Sequence, residues 1–239
     1  MATAPDEPTP NPNPWLASRP PSETAAASLM QITKTAAGWR LRYRIARGDT
    51  LGAIAQRLGV SLRELMAMNY IRDARRIIAG HWLHVPSVLD EEGDAQITRV
   101  PEELEAHPHR LALILSVQRW AREYELDPDL LAALAWVESR WQSNALSEKQ
   151  AMGVGQLVPD TVAFACEVLL GRQLDPWNPD HNLQMSARFL RYLLDETRGQ
   201  LDDALAAYYQ GLGALRRDGW YAVTKPYVER VQAARALFT

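Results

Sequence analysis

The stretch that most restricts the fold of this 239-residue chain is "DPDLLAALAWVESRW", residues 127 to 141. Leu130 to Val137 are all apolar, and the run ends on a carboxylate, Glu138. Asp127 is placed to cap a helix, and Pro128 fits its first position, where the missing N–H is not needed. Leu131, Leu134 and Glu138 then share a stripe at spacings of three and four. The carboxylate emerges at the C-terminal end of a core-facing stripe. Loss of water, the negative end of the helix dipole and the lack of an obvious cation on its own face all push its pKa upward. An acid held protonated near neutral pH suits protonation of a glycosidic oxygen. A boundary glutamate paired with Arg140 or Arg188 would show the same pattern, and the helix alone leaves both readings open.

Around this helix the chain from residue 107 onward reads as all-α. Helices are expected at about 109 to 125, 128 to 141, 159 to 170, 180 to 197, 201 to 209 and 224 to 237. Asp127-Pro128, Asp175-Pro176 and Asn178-Pro179 serve as starts or stops. A different pattern precedes it. "WRLRYRI" (39 to 45) alternates apolar and basic residues as a strand with one covered face does. "ARGDT" turns the chain, and Asp49 or Thr50 can cap "LGAIAQRLG". Ser61 and Glu64 form a capping box on the next helix, and "HWLHVP" closes the unit as a strand stopped by Pro86. The order is strand, helix, helix, strand in under fifty residues.

The outer segments are read from composition. Seven of the 15 prolines fall within the first 21 residues, so residues 1 to 38 are expected to be a flexible arm, with Trp15 and Leu16 as an anchor for a docking partner or an incidental apolar pair. Residues 87 to 106, with seven acids against Arg99, read as an acidic linker. Residues 39 to 86 carry nine Arg against Asp49, Glu64 and Asp73, which fits either a solvated mixed surface or a basic module for an anionic polymer. The net charge of −3 gives no reason to expect nucleic acid as the main partner. One cysteine, Cys166, lies in the apolar run "VAFACEVLL" and is expected to be a buried helical thiol. No stretch reaches the roughly twenty apolar residues of a membrane span. The first residues lack the pattern of a secretory signal, so an export route is not visible.

Four ordered motifs between residues 138 and 231 resemble the lytic transglycosylases of the goose-lysozyme-like superfamily. They are "ESRW…ALS…AMGVGQLVPDT" (138 to 161), "DPWNPDHNLQMSARFLRYLLDE" (175 to 196), "ALAAYYQGLG" (204 to 213) and "KPYVERV" (225 to 231). The resemblance implies a lysozyme-like all-α domain with Glu138 as the sole acid/base. Substrate contacts are implied for Ser139, Ser147, Met152, Gly153, Gly155, Gln156, Tyr208, Tyr209 and Tyr227. Gly153 and Gly155 would clear space for a sugar ring, Gln156 would bond an N-acetyl group, and Tyr208 and Tyr227 would lie near the scissile bond. Two positions depart from the pattern: Tyr209 stands where many relatives have Asn, and Val223 where many have Glu.

Ordinary glycosidases use two carboxylates, whereas Asp127, Asp160 and Asp175 read as caps or turn residues. One acid suffices if the substrate supplies the nucleophile, and the family reaction is of that kind. It cleaves the β-1,4 bond between N-acetylmuramic acid and N-acetylglucosamine without water, leaving a 1,6-anhydro end. No metal or other cofactor is implied. His107 and His109 flank Pro108, and His81 and His84 share a strand, without zinc spacing.

The small unit, "YRIARGDTLGAIAQRLGVSLRELMAMN…IIAGHWLHVP", is similar to a LysM repeat. That implies a shallow groove for N-acetylglucosamine chains, lined by Gly48, Asp49, Thr50 and Leu51 on one side and by Ile77, Ile78 and Ala79 on the other. The expectation is therefore a two-domain protein. A proline-rich arm (1 to 38) leads into an α+β LysM module (βααβ, 39 to 86), an acidic linker (87 to 106) and an all-α lysozyme-like domain (107 to 239). Its partner would be peptidoglycan glycan strands, met in a cell wall, the periplasm or the medium, or as part of a phage virion or endolysin. A lysozyme-type hydrolase and a non-catalytic wall-binding or assembly protein are the competing readings.

Overall fold

In a computed structural model, residues 13–19, 29–35, 38–58, 60–85, 97 and 99–239 are described. The N-terminal unit is a three-stranded antiparallel sheet in the order β1 (Met30–Thr35), β2 (Gly38–Arg44), β3 (Trp82–Val85). Two helices, α1 (Leu51–Leu58) and α2 (Leu62–Met68), join β2 to β3. The alternation in β2 works as its period requires: Leu41 and Tyr43 are buried, while Arg40, Arg42 and Arg44 face water. Tyr43 pairs with Leu83 and Leu41 with Val85, so the covered faces of both strands meet Ile54 and Leu65 in one core. Ser61 accepts a hydrogen bond from the Glu64 amide and starts α2 as expected.

The strand-helix-helix-strand order holds, with one addition. β1 lies inside the stretch expected to be a flexible arm, and its register with β2 runs from Met30 opposite Tyr43 to Thr35 opposite Gly38. β2 is thereby the central strand, and Met30 joins the core. The reason is positional: β2 has two edges, β3 covers one, and the segment immediately before it reaches the other through a hairpin. Much of the acidic linker lies outside the described residues. Its last residues belong to the helical part, because Leu104 in α3 (Glu102–Glu105) is buried.

The remainder is helical: α4 (Pro108–Leu111), α5 (Ile114–Glu123), α6 (Pro128–Ser139), α7 (Pro159–Phe164), α8 (Pro179–Glu196), α9 (Leu201–Gln210), α10 (Leu212–Asp218) and α11 (Thr224–Arg235). The 18-residue α8 starts on Asn178, whose side chain accepts from the amides of Asp180 and His181. α6, apolar all round, packs against α5 and α11 and is buried along its length. Asp127 makes no side-chain cap to α6 and instead pairs with Arg235.

α6 stops at Ser139, short of the expected end at 141. Arg140 (φ 54°) and Trp141 (φ 59°) both take the left-handed conformation, which breaks the helix and turns Trp141 inward. There its indole N–H donates to the carbonyl of Ala132, and its ring stacks on Phe238. The stretch expected to be one helix at 159 to 170 is α7 followed by a wider π-helical turn, Ala165–Leu169, which carries the fully buried Cys166.

Candidate active site

Glu138 projects from the last turn of α6 into a cleft of about 510 Å³. The loop after α6 lines the cleft with Ser147, Lys149, Ala151, Gln156 and Leu157. α9 adds Tyr208 and Tyr209, and the segment before α11 adds Tyr221 and Val223. Among the described lining residues Glu138 is the only acid. A larger hollow of about 610 Å³ lies between α8 and α10, but both of its acids are engaged, Glu196 by Arg216 and Asp203 by the Trp220 indole N–H.

The electrostatics of Glu138 follow from its surroundings. Loss of water raises its pKa from 4.5 to about 7, against the opposing effects of a hydrogen bond from Tyr227 and the positive charge of Arg230. The Tyr227 hydroxyl donates to Oε1 at 2.5 Å. Tyr227 is 2% exposed, and burial together with the adjacent carboxylate lifts its own pKa well above the usual value, so it stays a donor. Arg230, whose charge acts on Glu138, is one helical turn beyond Tyr227 in α11 and has no signal on the Glu138 helix itself. Arg140 does not serve as the partner: its guanidinium stacks over Trp136.

The residues brought to the cleft by resemblance divide into two groups. Gln156, itself in the left-handed conformation at φ 49°, lines the cleft and donates through Nε2 to the carbonyls of Gly153 (2.9 Å) and Ala145 (3.3 Å). With its donors engaged there, the amide oxygen is left as an acceptor. Tyr209 is exposed and stacks on Tyr227, ring centroids 4.4 Å apart, so it roofs the Tyr227–Glu138 pair. Tyr208 donates to the Gly155 carbonyl at 2.8 Å, which ties α9 to the loop.

The other group serves the scaffold. Ser139 donates to the Val154 carbonyl at 2.7 Å and accepts from the Gln142 amide, locking the end of α6 to the loop. Ser147 lines the cleft while its Oγ accepts from the Ala151 amide. Met152 is fully buried and bridges Leu146 and Leu157 through its backbone, so its side chain is core and does not reach the cleft.

The glycines open space for protein, not for sugar. A Cβ on Gly153, at φ 69°, would lie 2.6 Å from Asn182 Nδ2 and 2.8 Å from the Pro176 carbonyl, and one on Gly155 would overlap Ser186 Oγ. Asn182 is the hub there. Fully buried, it receives the Gly155 amide and donates to the carbonyls of Met152 and Pro176. Asn182 and Ser186 were not anticipated as site residues; the signal was two polar residues on a helix face otherwise filled by Leu183, Met185, Ala187 and Leu190.

In the N-terminal module the two sets of groove residues are adjacent. Gly80 donates to the Ile45 carbonyl at 2.7 Å and Ile45 to that of His81 at 2.9 Å, which joins the first turn to the loop before β3. Gly48, Thr50, Ile78 and Ala79 are exposed, and Ile77 is half-buried. Two assignments change. Leu51 is fully buried and belongs to the core. Asp49 turns inward, accepting from the Tyr43 hydroxyl and the Ala46 amide at 2.8 Å each and pairing with Arg57. Burial and that carboxylate hold the Tyr43 hydroxyl up at about 12. Thr50 accepts from the Ala53 amide as a cap.

Comparison with known proteins finds two family models that match this chain. The model of the Transglycosylase SLT domain matches residues 116–229, and that of the LysM domain matches residues 43–86. A transglycosylase of Enterobacteria phage PRD1 is 34% identical over 109 residues, 46% of this chain and 37% of that protein. An inactive mutant of the lytic transglycosylase Slt from Pseudomonas aeruginosa is 23% identical over 52% of this chain and 23% of that one, at a TM-score of 0.47. The 70 kDa soluble lytic transglycosylase of Escherichia coli is 20% identical over 56% and 26%, at a TM-score of 0.49. The chain thus spans 37% of the phage relative and about a quarter of these two structures.

Proposed function

We propose, for a chain in which a LysM domain precedes a Transglycosylase SLT domain, the activity of a peptidoglycan lytic transglycosylase held to its substrate by the LysM module. The observation that carries the reading is a cleft in which Glu138, poised near neutral pH, is the only carboxylate among the described lining residues. A glycosidase that activates water needs a second carboxylate; a reaction whose nucleophile comes from the substrate does not.

In the proposed reaction, protonated Glu138 gives its proton to the glycosidic oxygen of the departing N-acetylglucosamine. The N-acetyl oxygen of N-acetylmuramic acid meanwhile attacks C1 and forms an oxazolinium ion. The resulting carboxylate then takes the proton from that sugar's C6 hydroxyl, O6 displaces the acetamido oxygen at C1, and a 1,6-anhydro ring closes. Glu138 is left protonated, as it began. The Tyr227 hydroxyl stabilises the carboxylate in the interval, when its charge is uncovered. Gln156 presents its carbonyl to an acetamido N–H. Tyr209 offers a ring face to the sugar in the cleft. The LysM module, at exposed Thr50, Ile78 and Ala79, holds N-acetylglucosamine chains weakly, and the linkage raises the local concentration of bonds to cut. The site of action is a cell wall outside the cytoplasm, reached by an envelope enzyme or by a phage.

Mass spectrometry of sugars released from purified peptidoglycan tests the reading. Products one water lighter than reducing muropeptides, absent with Glu138→Gln, are expected. Reducing ends would assign a lysozyme-type hydrolase. Retained wall binding with no release from the unaltered protein would leave a binding or assembly role.

A further inference from the structure

The helical domain is gripped by a segment more than a hundred residues away in sequence. Residues 13 to 19 include a single 3-10 turn, Leu16–Ser18, and lie against the back of the loop that lines the cleft. Asn13, 5% exposed, donates to Met152 Sδ at 3.4 Å and accepts the Trp15 amide. The buried Trp177 indole donates to the Trp15 carbonyl at 2.6 Å. Arg19 donates twice to the Asn144 carbonyl, at 2.8 and 3.1 Å, and its guanidinium lies over the Trp177 ring. The Trp15 side chain packs on the cluster formed by Met152, Leu157 and Trp177.

These contacts grip the loop at its start, Asn144, and at its middle, Met152. Ala145, next to Asn144, accepts from the Gly153 amide and from Gln156 Nε2. The opposite face of the same loop presents Ser147 and Gln156 to the cleft, and no residue of 13 to 19 lines it. A segment behind the loop fixes the side chains in front of it without touching a ligand.

We propose that residues 13 to 19 are a strap that positions the 144–157 loop, with Asn13, Trp15 and Arg19 as positioning residues for Gln156. Three features support a built contact over an incidental one. A buried tryptophan N–H finds its acceptor on the strap, a buried asparagine is committed to the interface, and one arginine bonds a single carbonyl twice. The strap's effect on turnover rests on the function proposed above; its hold on the loop does not.

The test uses the full chain carrying Asn13→Ala, Trp15→Ala and Arg19→Ala together, followed by amide hydrogen exchange and by kinetics on peptidoglycan. Exchange at Gly153, Gln156 and Leu157 is expected to speed up about tenfold or more with that of α6 unchanged. Turnover per bound substrate is expected to fall about 10- to 100-fold, since a misplacement of about 1 Å carries that penalty. Trp15→Phe, which keeps the packing and the carbonyl, is expected to retain most of the unaltered rate. Unchanged loop exchange overturns the strap, and faster loop exchange at an unchanged rate overturns its positioning role. If the triple variant melts globally, Arg19→Ala alone, at an exposed side chain, decides by the same two readouts. If the unaltered chain releases no sugar, the functional reading fails and exchange still decides the strap.

Discussion

The Tyr227 hydroxyl meets Glu138 Oε1 at 2.5 Å, across 89 residues of sequence, under the ring of Tyr209. The last helix thus reaches back to α6 and opposes the effect of burial on the carboxylate at its end. A donor to a carboxylate favours the ionised form, while burial favours the neutral one, and burial is the larger influence here.

Replacing Tyr227 with Phe removes that donor and leaves the burial. The pKa of Glu138 is then expected to rise further, by about one unit, moving the alkaline limb of the pH–rate profile to higher pH. The rate is expected to fall about tenfold at pH 6, because the carboxylate formed during the reaction loses its partner. A pH–rate profile of both proteins checks the direction of the move.

Glu138→Gln is expected to lower turnover at least 10³-fold, within the usual range for loss of a general acid. It is also expected to stabilise the fold above pH 7. The folded pKa, about 7, lies above the ordinary 4.5, so between those values the folded state holds the extra proton and stability falls as pH rises. Below pH 4.5 this effect vanishes. The gain at pH 8 is about 3 kcal/mol, a rise in melting temperature of about 6–12 °C that is absent at pH 4. A higher melting point at pH 4 than at pH 8 for the variant relative to the unaltered chain would contradict the burial argument.

Gly155→Ala places a methyl on Ser186 Oγ and within 3.1 Å of the Tyr208 hydroxyl. Overpacking of this kind destabilises by about 1–3 kcal/mol. Adding Ser186→Gly is expected to recover part of the loss, and a double-mutant cycle by chemical denaturation measures the coupling. If the glycine serves only sugar access, the single change lowers activity at unchanged stability.

In the N-terminal module, Leu51→Ala is expected to destabilise by about 2–5 kcal/mol, since the side chain is fully buried. Ile78→Ser, at a 61% exposed position, is expected to weaken sedimentation with peptidoglycan while leaving the melting curve unchanged. Circular dichroism and a co-sedimentation assay separate the two effects.

Local rules determined much of this protein. The apolar run of α6, the Pro128 and Pro179 starts, the Ser61 cap and the alternation of β2 are contacts within a few residues, and the sequence alone places them. The placement of Glu138 at the end of a buried stripe was legible for the same reason: helical period decides which residues share a face.

What needed the tertiary structure is what joins distant segments. Arg230 beside Glu138, Asn182 beneath the two glycines, Trp141 turned inward by two left-handed residues and β1 drawn onto β2 leave little trace in local pattern. Gly153 and Gly155 show the division most clearly. A glycine in sequence says only that a Cβ is absent, and whether sugar or Asn182 and Ser186 fill the space depends on which helix the fold brings there. Sequence period sets which face a side chain occupies, and packing alone sets what that face meets.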